Sequence, residues 1–219
     1  MTRLRIVPAN EASGDDLAAI FGTRGAGSRC FCQRYKLSRG ESFGSFPAEE
    51  RAARLREQTA CADPDSPGTS GLVAYLDDEP VGWCAVEPRS AYSGLVRVFT
   101  VPWQGRAEDR ADDSVWAITC LFVRAGHRKQ GISAHLARAA VVHARERGAR
   151  AVEAYPMVTG AALEEELHVG TVSTFADAGL REVSRPTTRR AVLRIDFADA
   201  TVRREARRGT SGRSAAPPR

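Results

Sequence analysis

The stretch from Val115 to Gly148 dictates a strand–turn–helix unit and constrains the chain more than any other segment. Val115-Trp116-Ala117-Ile118-Thr119-Cys120-Leu121-Phe122-Val123 is an apolar, strand-type run that passes straight into a basic turn, and the turn opens a helix near Ser133. Ile132, Leu136, Ala139, Ala140 and His143 then recur at helical spacing, and Gly148 stands where a C-cap belongs. A strand that ends in free backbone N–H groups at a helix N-terminus makes an anion site before any side chain is counted. Gly131 lacks a Cβ and tolerates positive φ, so a ligand can approach the backbone there. Arg128 and Lys129 add positive charge at the same spot. The chemistry is that of a phosphorylated ligand, most simply a diphosphate. The turn lacks the three glycines of a dinucleotide fingerprint, and it lacks the Gly-Lys-Ser/Thr of a P-loop.

The remaining chain reads as alternating short elements. Leu4–Val7 is an edge strand stopped by Pro8, and Ser13 or Asp15 caps a helix over Asp16–Phe21. Residues 29–47 carry Cys30, Phe31, Cys32, Tyr35, Phe43 and Phe46 in no regular period, so an aromatic-rich loop is expected before an amphipathic helix that starts at Pro47 and runs to Thr59. Leu72–Leu76 and Pro80–Val86 flank the acidic tip Asp77-Asp78-Glu79 as a hairpin. Leu95–Phe99 reads as a short strand. Ala151–Tyr155 is a strand stopped by Pro156, Leu163–Leu167 a short helix, Thr171–Ala178 a helix closed by Gly179, and Val192–Phe197 the last strand.

Composition narrows the classes. An apolar fraction of 42% supports a packed core. With no apolar run long enough to span a membrane and no apolar segment after the N-terminus, a cytoplasmic protein without a membrane anchor is expected. The net charge of +5 is a property of the C-terminus: removing the six arginines and one glutamate between Arg203 and Arg219 from 32 basic and 27 acidic residues leaves 26 of each. That Gly/Ser/Pro/Arg tail is expected to be disordered, and the neutral remainder argues against specific nucleic-acid binding. Five cysteines, an odd number, argue against a disulfide framework, and no His/Cys spacing makes a metal site, so none is expected. The role of the Cys30/Cys32 pair is left open.

Arg128-x-x-Gly131-x-Ser133 after Leu121-x-Val123 resembles the acyl-CoA-binding motif of the GNAT (N-acetyltransferase) superfamily, and Phe175-x-x-x-Gly179-Leu180 is similar to its closing motif. Ser133 stands where the family has Gly or Ala. The resemblance covers roughly residues 3–198. It implies an α/β (α+β) fold with a mixed, mostly antiparallel sheet and helices on both faces. It also implies an acetyltransferase domain over residues 1–200 with a basic tail over 201–219, and acetyl-CoA as co-substrate. The backbones of Leu121, Phe122 and Val123 would hold the acetyl and pantetheine groups. Arg128, Lys129, Gln130, Gly131, Ile132, Ser133 and Ala134 would hold the diphosphate.

The implied reaction is direct attack of an amine, from a small molecule or peptide, on the thioester, with a homodimer allowed as the assembly. Because an ammonium group cannot attack, a base must remove a proton. Many members protonate the departing thiolate with a tyrosine where this chain has Phe175, which is therefore expected to pack against the cofactor. Tyr155 is the leading substitute acid, against the alternative of a strand tyrosine with its hydroxyl at the surface. Glu153 and Glu87 are the candidate bases, and strand alternation puts Glu153 on the face of Tyr155. Cys120 as a nucleophile fits the family poorly. The Cys30–Tyr35 segment borders the acceptor pocket or simply packs in the core. A non-catalytic acyl-CoA-binding sensor or interaction module is the competing reading.

Overall fold

A computed structural model describes residues 3–158 and 164–197. The elements in chain order are β1 (Leu4–Pro8), α1 (Gly14–Phe21), α2 (Gly27–Cys30), α3 (Ala48–Thr59), β2 (Gly71–Leu76), β3 (Glu79–Pro88), α4 (Ser93–Arg97), β4 (Val115–Val123), α5 (Ile132–Glu146), β5 (Ala151–Ala154), α6 (Val172–Ala176), β6 (Arg181–Thr187) and β7 (Arg190–Asp196). The strands form one sheet in the order β1-β2-β3-β4-β5-β7-β6. Every pairing is antiparallel except β4 with β5. This is the mixed, mostly antiparallel α/β sheet that the family resemblance implies. The tail over 201–219 and residues 159–163 lie outside the described residues.

Both sheet faces are covered. On one side α5 and α6 bring Leu136, Ala140 and Phe175 against Cys84, Ile118 and Leu193. On the other, α1 and α3 bring Leu17, Phe21 and Leu55 against Val73, Trp83 and Cys120. The helix ends follow local chemistry. Ser13 accepts the Asp16 N–H while the Asp16 carboxylate accepts the Ser13 N–H, a capping box that selects Ser13 over Asp15. At the end of α5, Ala149 N–H reaches Ala144 O and Gly148 N–H reaches Arg145 O around a left-handed Gly148, the Schellman pattern.

Three local expectations change. Leu95–Phe99 is not a strand: residues 93–97 are helical, because β3 pairs directly with β4 and leaves no edge for another strand. The hairpin tip is only Asp77-Asp78, since Glu79 pairs with Leu76 and Asp77 takes a left-handed φ of 55°. Strand β6 was not expected at all: an exposed, charged edge strand with Pro186 has little apolar alternation to reveal it.

Candidate active site

The site starts from a register fault. Ala85 pairs with Cys120 and Val86 pairs with Ile118, which leaves Thr119 as an extra residue in β4. A bulge bends its strand and re-aims the side chains beyond it. Accordingly Ala117 lies on the α1 side with Tyr155, while past the bulge Cys120 takes that side and Leu121 faces α5. The parallel pairing of β4 with β5 runs from Val115↔Ala151 to Ile118↔Ala154 and stops there. Beyond Thr119 the β5 side of β4 is therefore without a partner strand among the described residues, and the sheet opens.

At the far end of the opening is the basic turn. Lys129 and Gly131 both adopt left-handed conformations, with φ of 60° and 77°. Among the described residues the backbone N–H groups from Gln130 to Ser133 have no hydrogen-bond acceptor. A Cβ on Gly131 would meet nothing within 4 Å, so its exposed face is open to a ligand. Arg128, Lys129, Gln130 and Gly131 are exposed, Ser133 and Ala134 half-buried, and Ile132 buried. Arg128 Nε donates to Val123 O at 3.3 Å, fastening the turn to the end of β4. Leu121 is buried, and Phe122 and Val123 are half-buried.

At the near end, on the α1 side, four side chains from the first half of the chain converge. Lys36 and Glu87 form an ion pair with only 9% and 14% of their side chains exposed. The Lys36 ammonium lies 5.1 Å from the centre of the Tyr92 ring, and Tyr92 is wholly buried with its hydroxyl next to the Thr119 side chain. Burial raises the Glu87 pKa, and the Lys36 charge only partly opposes it. Tyr35 and Tyr92 pack with Ala117 of β4 and with Tyr155 and Met157 beyond β5, so they touch both arms of the opening. Arg190 Nη2 donates to the Tyr155 carbonyl at 2.8 Å, fixing the β5 arm.

Glu153 occupies a different environment. Its buried carboxylate accepts from Arg106 at 2.5 Å, Arg194 at 2.8 Å and Arg89 at 3.1 Å, and from the Tyr155 hydroxyl at 3.0 Å. Burial by itself would raise its pKa, but the three guanidiniums outweigh it and hold the group below the usual carboxylate range. A carboxylate so firmly ionised and occupied is a poor proton acceptor. Burial, then the Glu153 charge, puts the Tyr155 pKa well above that of free tyrosine, and its hydroxyl proton is committed to Glu153. The geometry thus speaks against both as acid–base groups. Tyr155 and Glu153 do share a face, and Tyr155 is buried, not a surface tyrosine.

Phe175 is fully buried in the α5-side core, and a Cβ on Gly170 would lie 2.5 Å from its ring and 3.2 Å from Leu121. It walls that side with no exposed surface of its own. Cys32 accepts from Trp83 Nε1 at 3.0 Å, and burial raises its pKa; burial likewise pushes Cys30 up to about 11. Neither is a thiolate nucleophile. Cys120 is buried in the same cluster as Cys32. Among the described residues no group of three or more His, Cys, Asp or Glu could hold a metal ion, and no helix is long and apolar enough to cross a membrane.

Sequence reasoning missed Lys36, Tyr92 and Arg190, which come from loops and a strand remote from the motif. One signal was available: Lys36 is one of only two lysines in a chain with 32 basic residues.

Residues 33–163 match the model of the Acetyltransferase (GNAT) family. Among solved structures, an N-acetyltransferase from Staphylococcus aureus Mu50 superposes with a TM-score of 0.51 at 15% identity, covering 89% of this chain and 98% of that one. The yncA protein of Salmonella typhimurium, solved with its cofactor acetyl-CoA, gives 0.52 at 12% identity over 90% of this chain and 95% of that one. Ribosomal-protein-alanine N-acetyltransferase from Brucella melitensis gives 0.50 at 14% identity over 89% and 99%. At such identities the likeness is one of fold. No curated protein sequence matches.

Proposed function

Because the chain belongs to the GNAT acetyltransferase family, and so is an acyltransferase that uses acetyl-CoA, we propose that it moves the acetyl group by direct attack of an amine, borne by a small molecule or a peptide. The observation that carries this reading is the opening of the sheet at Thr119, with an N–H-rich turn at one end and a buried carboxylate at the other. The diphosphate takes the turn from Arg128 to Ala134, where the backbone N–H groups of Gln130 to Ser133 and two cationic side chains favour it. The pantetheine arm lies along the edge of β4 that has no partner strand past Thr119 among the described residues, beside Leu121, Phe122 and Val123. The thioester then reaches Thr119.

Glu87 is the base in this reading. Its raised pKa suits a group that must take a proton from an ammonium and release it again. The thioester carbonyl meets backbone N–H groups at the bulge, which stabilise the negative charge that develops on oxygen. Tyr92 supplies the hydroxyl that Phe175 lacks: it sits beside Glu87 and next to the Thr119 side chain at the bulge. The acetyltransferase domain ends near residue 200, just past β7, and residues 201–219 form a separate basic tail.

Thermal unfolding tests the donor. Acetyl-CoA at a hundredfold excess over its Kd stabilises the fold by about 2.7 kcal/mol, and an unchanged melting temperature sinks the assignment. Release of free CoA thiol across a panel of amines tests catalysis. Binding without turnover on any amine supports the sensor reading that the loss of the family's tyrosine favours.

A further inference from the structure

The two lysines of this chain occupy opposite environments. Lys129 is exposed on the diphosphate turn, while the Lys36 side chain is only 9% exposed and held against Glu87. Buried ion pairs elsewhere in the molecule use arginine: Arg89, Arg106 and Arg194 all serve Glu153. Arginine is the better residue for that purpose, since its charge is permanent and its planar fork matches a carboxylate. Lysine offers one thing arginine cannot, an amine that gives up its proton and becomes a nucleophile. Here that amine already sits on the carboxylate at the mouth of the opening. Glu87 lies opposite Ala117, two residues before Thr119. At about 3.3 Å per residue the bulge is roughly 7 Å along the strand, within the sweep of a flexible four-carbon stem.

We propose that Lys36 is a self-acetylation site, its Nζ receiving the acetyl group from acetyl-CoA bound in the same chain; this rests on the donor reading above. The Glu87 carboxylate takes one proton from the Lys36 ammonium. The freed lone pair attacks the thioester carbonyl carbon, an N–C bond forms, and the C–S bond breaks with its electron pair leaving on sulfur. The nitrogen loses a second proton as the amide forms, and the departing thiolate gains one. The net products are acetyl-lysine, CoA thiol and one proton. The acetylated side chain is neutral, so Glu87 is left without its counter-charge and the acceptor pocket changes in both charge and shape.

The full chain is incubated with acetyl-CoA and no added amine, and intact mass and peptide mapping are followed over time. One acetyl group is expected at Lys36, appearing at a rate that saturates with acetyl-CoA and is independent of protein concentration. Proximity should favour it over exposed Lys129 by at least about tenfold. Lys36→Arg, which keeps the ion pair, should abolish the modification while the thermal shift with acetyl-CoA persists. A clear thermal shift without acetylation at Lys36 overturns the proposal, as does equal modification of Lys36 and Lys129. An absent thermal shift instead overturns the donor reading on which it rests.

Discussion

Glu153→Gln separates a structural carboxylate from a catalytic one. In the parent, a group with no exposed surface neutralises three guanidiniums at 2.5, 2.8 and 3.1 Å. The amide keeps the shape but not the charge, and its NH2 turns donors toward donors. Breaking a buried pair by removing one partner costs about 3–5 kcal/mol, because the other charge stays buried. Glu108 remains 3.1 Å from Arg106 and 3.5 Å from Arg89 and Arg194, and Asp196 still pairs with Arg194, so the lower half of that range is expected. For a domain of this size each kcal/mol moves the melting temperature by about 2–4 °C, which predicts a drop of roughly 6–12 °C for about 3 kcal/mol. Calorimetry and urea titration measure it. The sign of the pH effect follows from the lowered folded pKa: the contribution is present above the unfolded value near 4.5 and fades as pH falls through the folded one. The variant should therefore lose part of the parent's acid sensitivity. A melting temperature unchanged within error, together with lost turnover at saturating substrates, would refute the reasoning and restore Glu153 as the base.

Other outcomes follow from the same geometry. Gly131→Val places its side chain in open space, so stability should fall only by the roughly 1–2 kcal/mol of a left-handed residue, while acetyl-CoA affinity measured by calorimetry should drop at least about tenfold; an unchanged Kd contradicts the diphosphate assignment. Glu87→Gln should lower kcat about a hundredfold and leave acetyl-CoA binding intact, and full activity would remove Glu87 as the base. Gly170→Ala forces a Cβ to 2.5 Å from the Phe175 ring at a φ of 78°, so the urea midpoint should fall by the equivalent of about 2–4 kcal/mol. Burial first, then Arg147, lowers the His143 pKa to about 4 from 6.5, so the unfolded chain binds the extra proton and stability is lost as pH falls between those values. Between pH 7 and 5 that loss is about 2 kcal/mol, and His143→Gln should flatten the slope.

What the sequence by itself determined was local. The apolar run to Val123, the turn with Gly131 and the helix to Gly148 are set by residues near one another in the chain. Their propensities and caps need no distant partner, and this strand–turn–helix frame was readable for that reason. The hairpin was legible on the same grounds, and the first helix start was narrowed to Ser13 or Asp15, between which the capping box decided. Alternation placed Glu153 and Tyr155 on one face but could not say what waits there. Only the tertiary structure brings Arg89, Arg106 and Arg194 onto that carboxylate and so removes it from candidacy. The bulge at Thr119 is likewise a property of two strands, since a register shift exists only against a partner. The Lys36–Glu87 pair joins a loop and a strand: the rarity of lysine and the place of Glu87 at a strand end mark each residue, but neither segment foretells that they meet. Charges far apart in sequence meet only once the fold brings them together, and the burial that strengthens their interaction is decided by the whole fold.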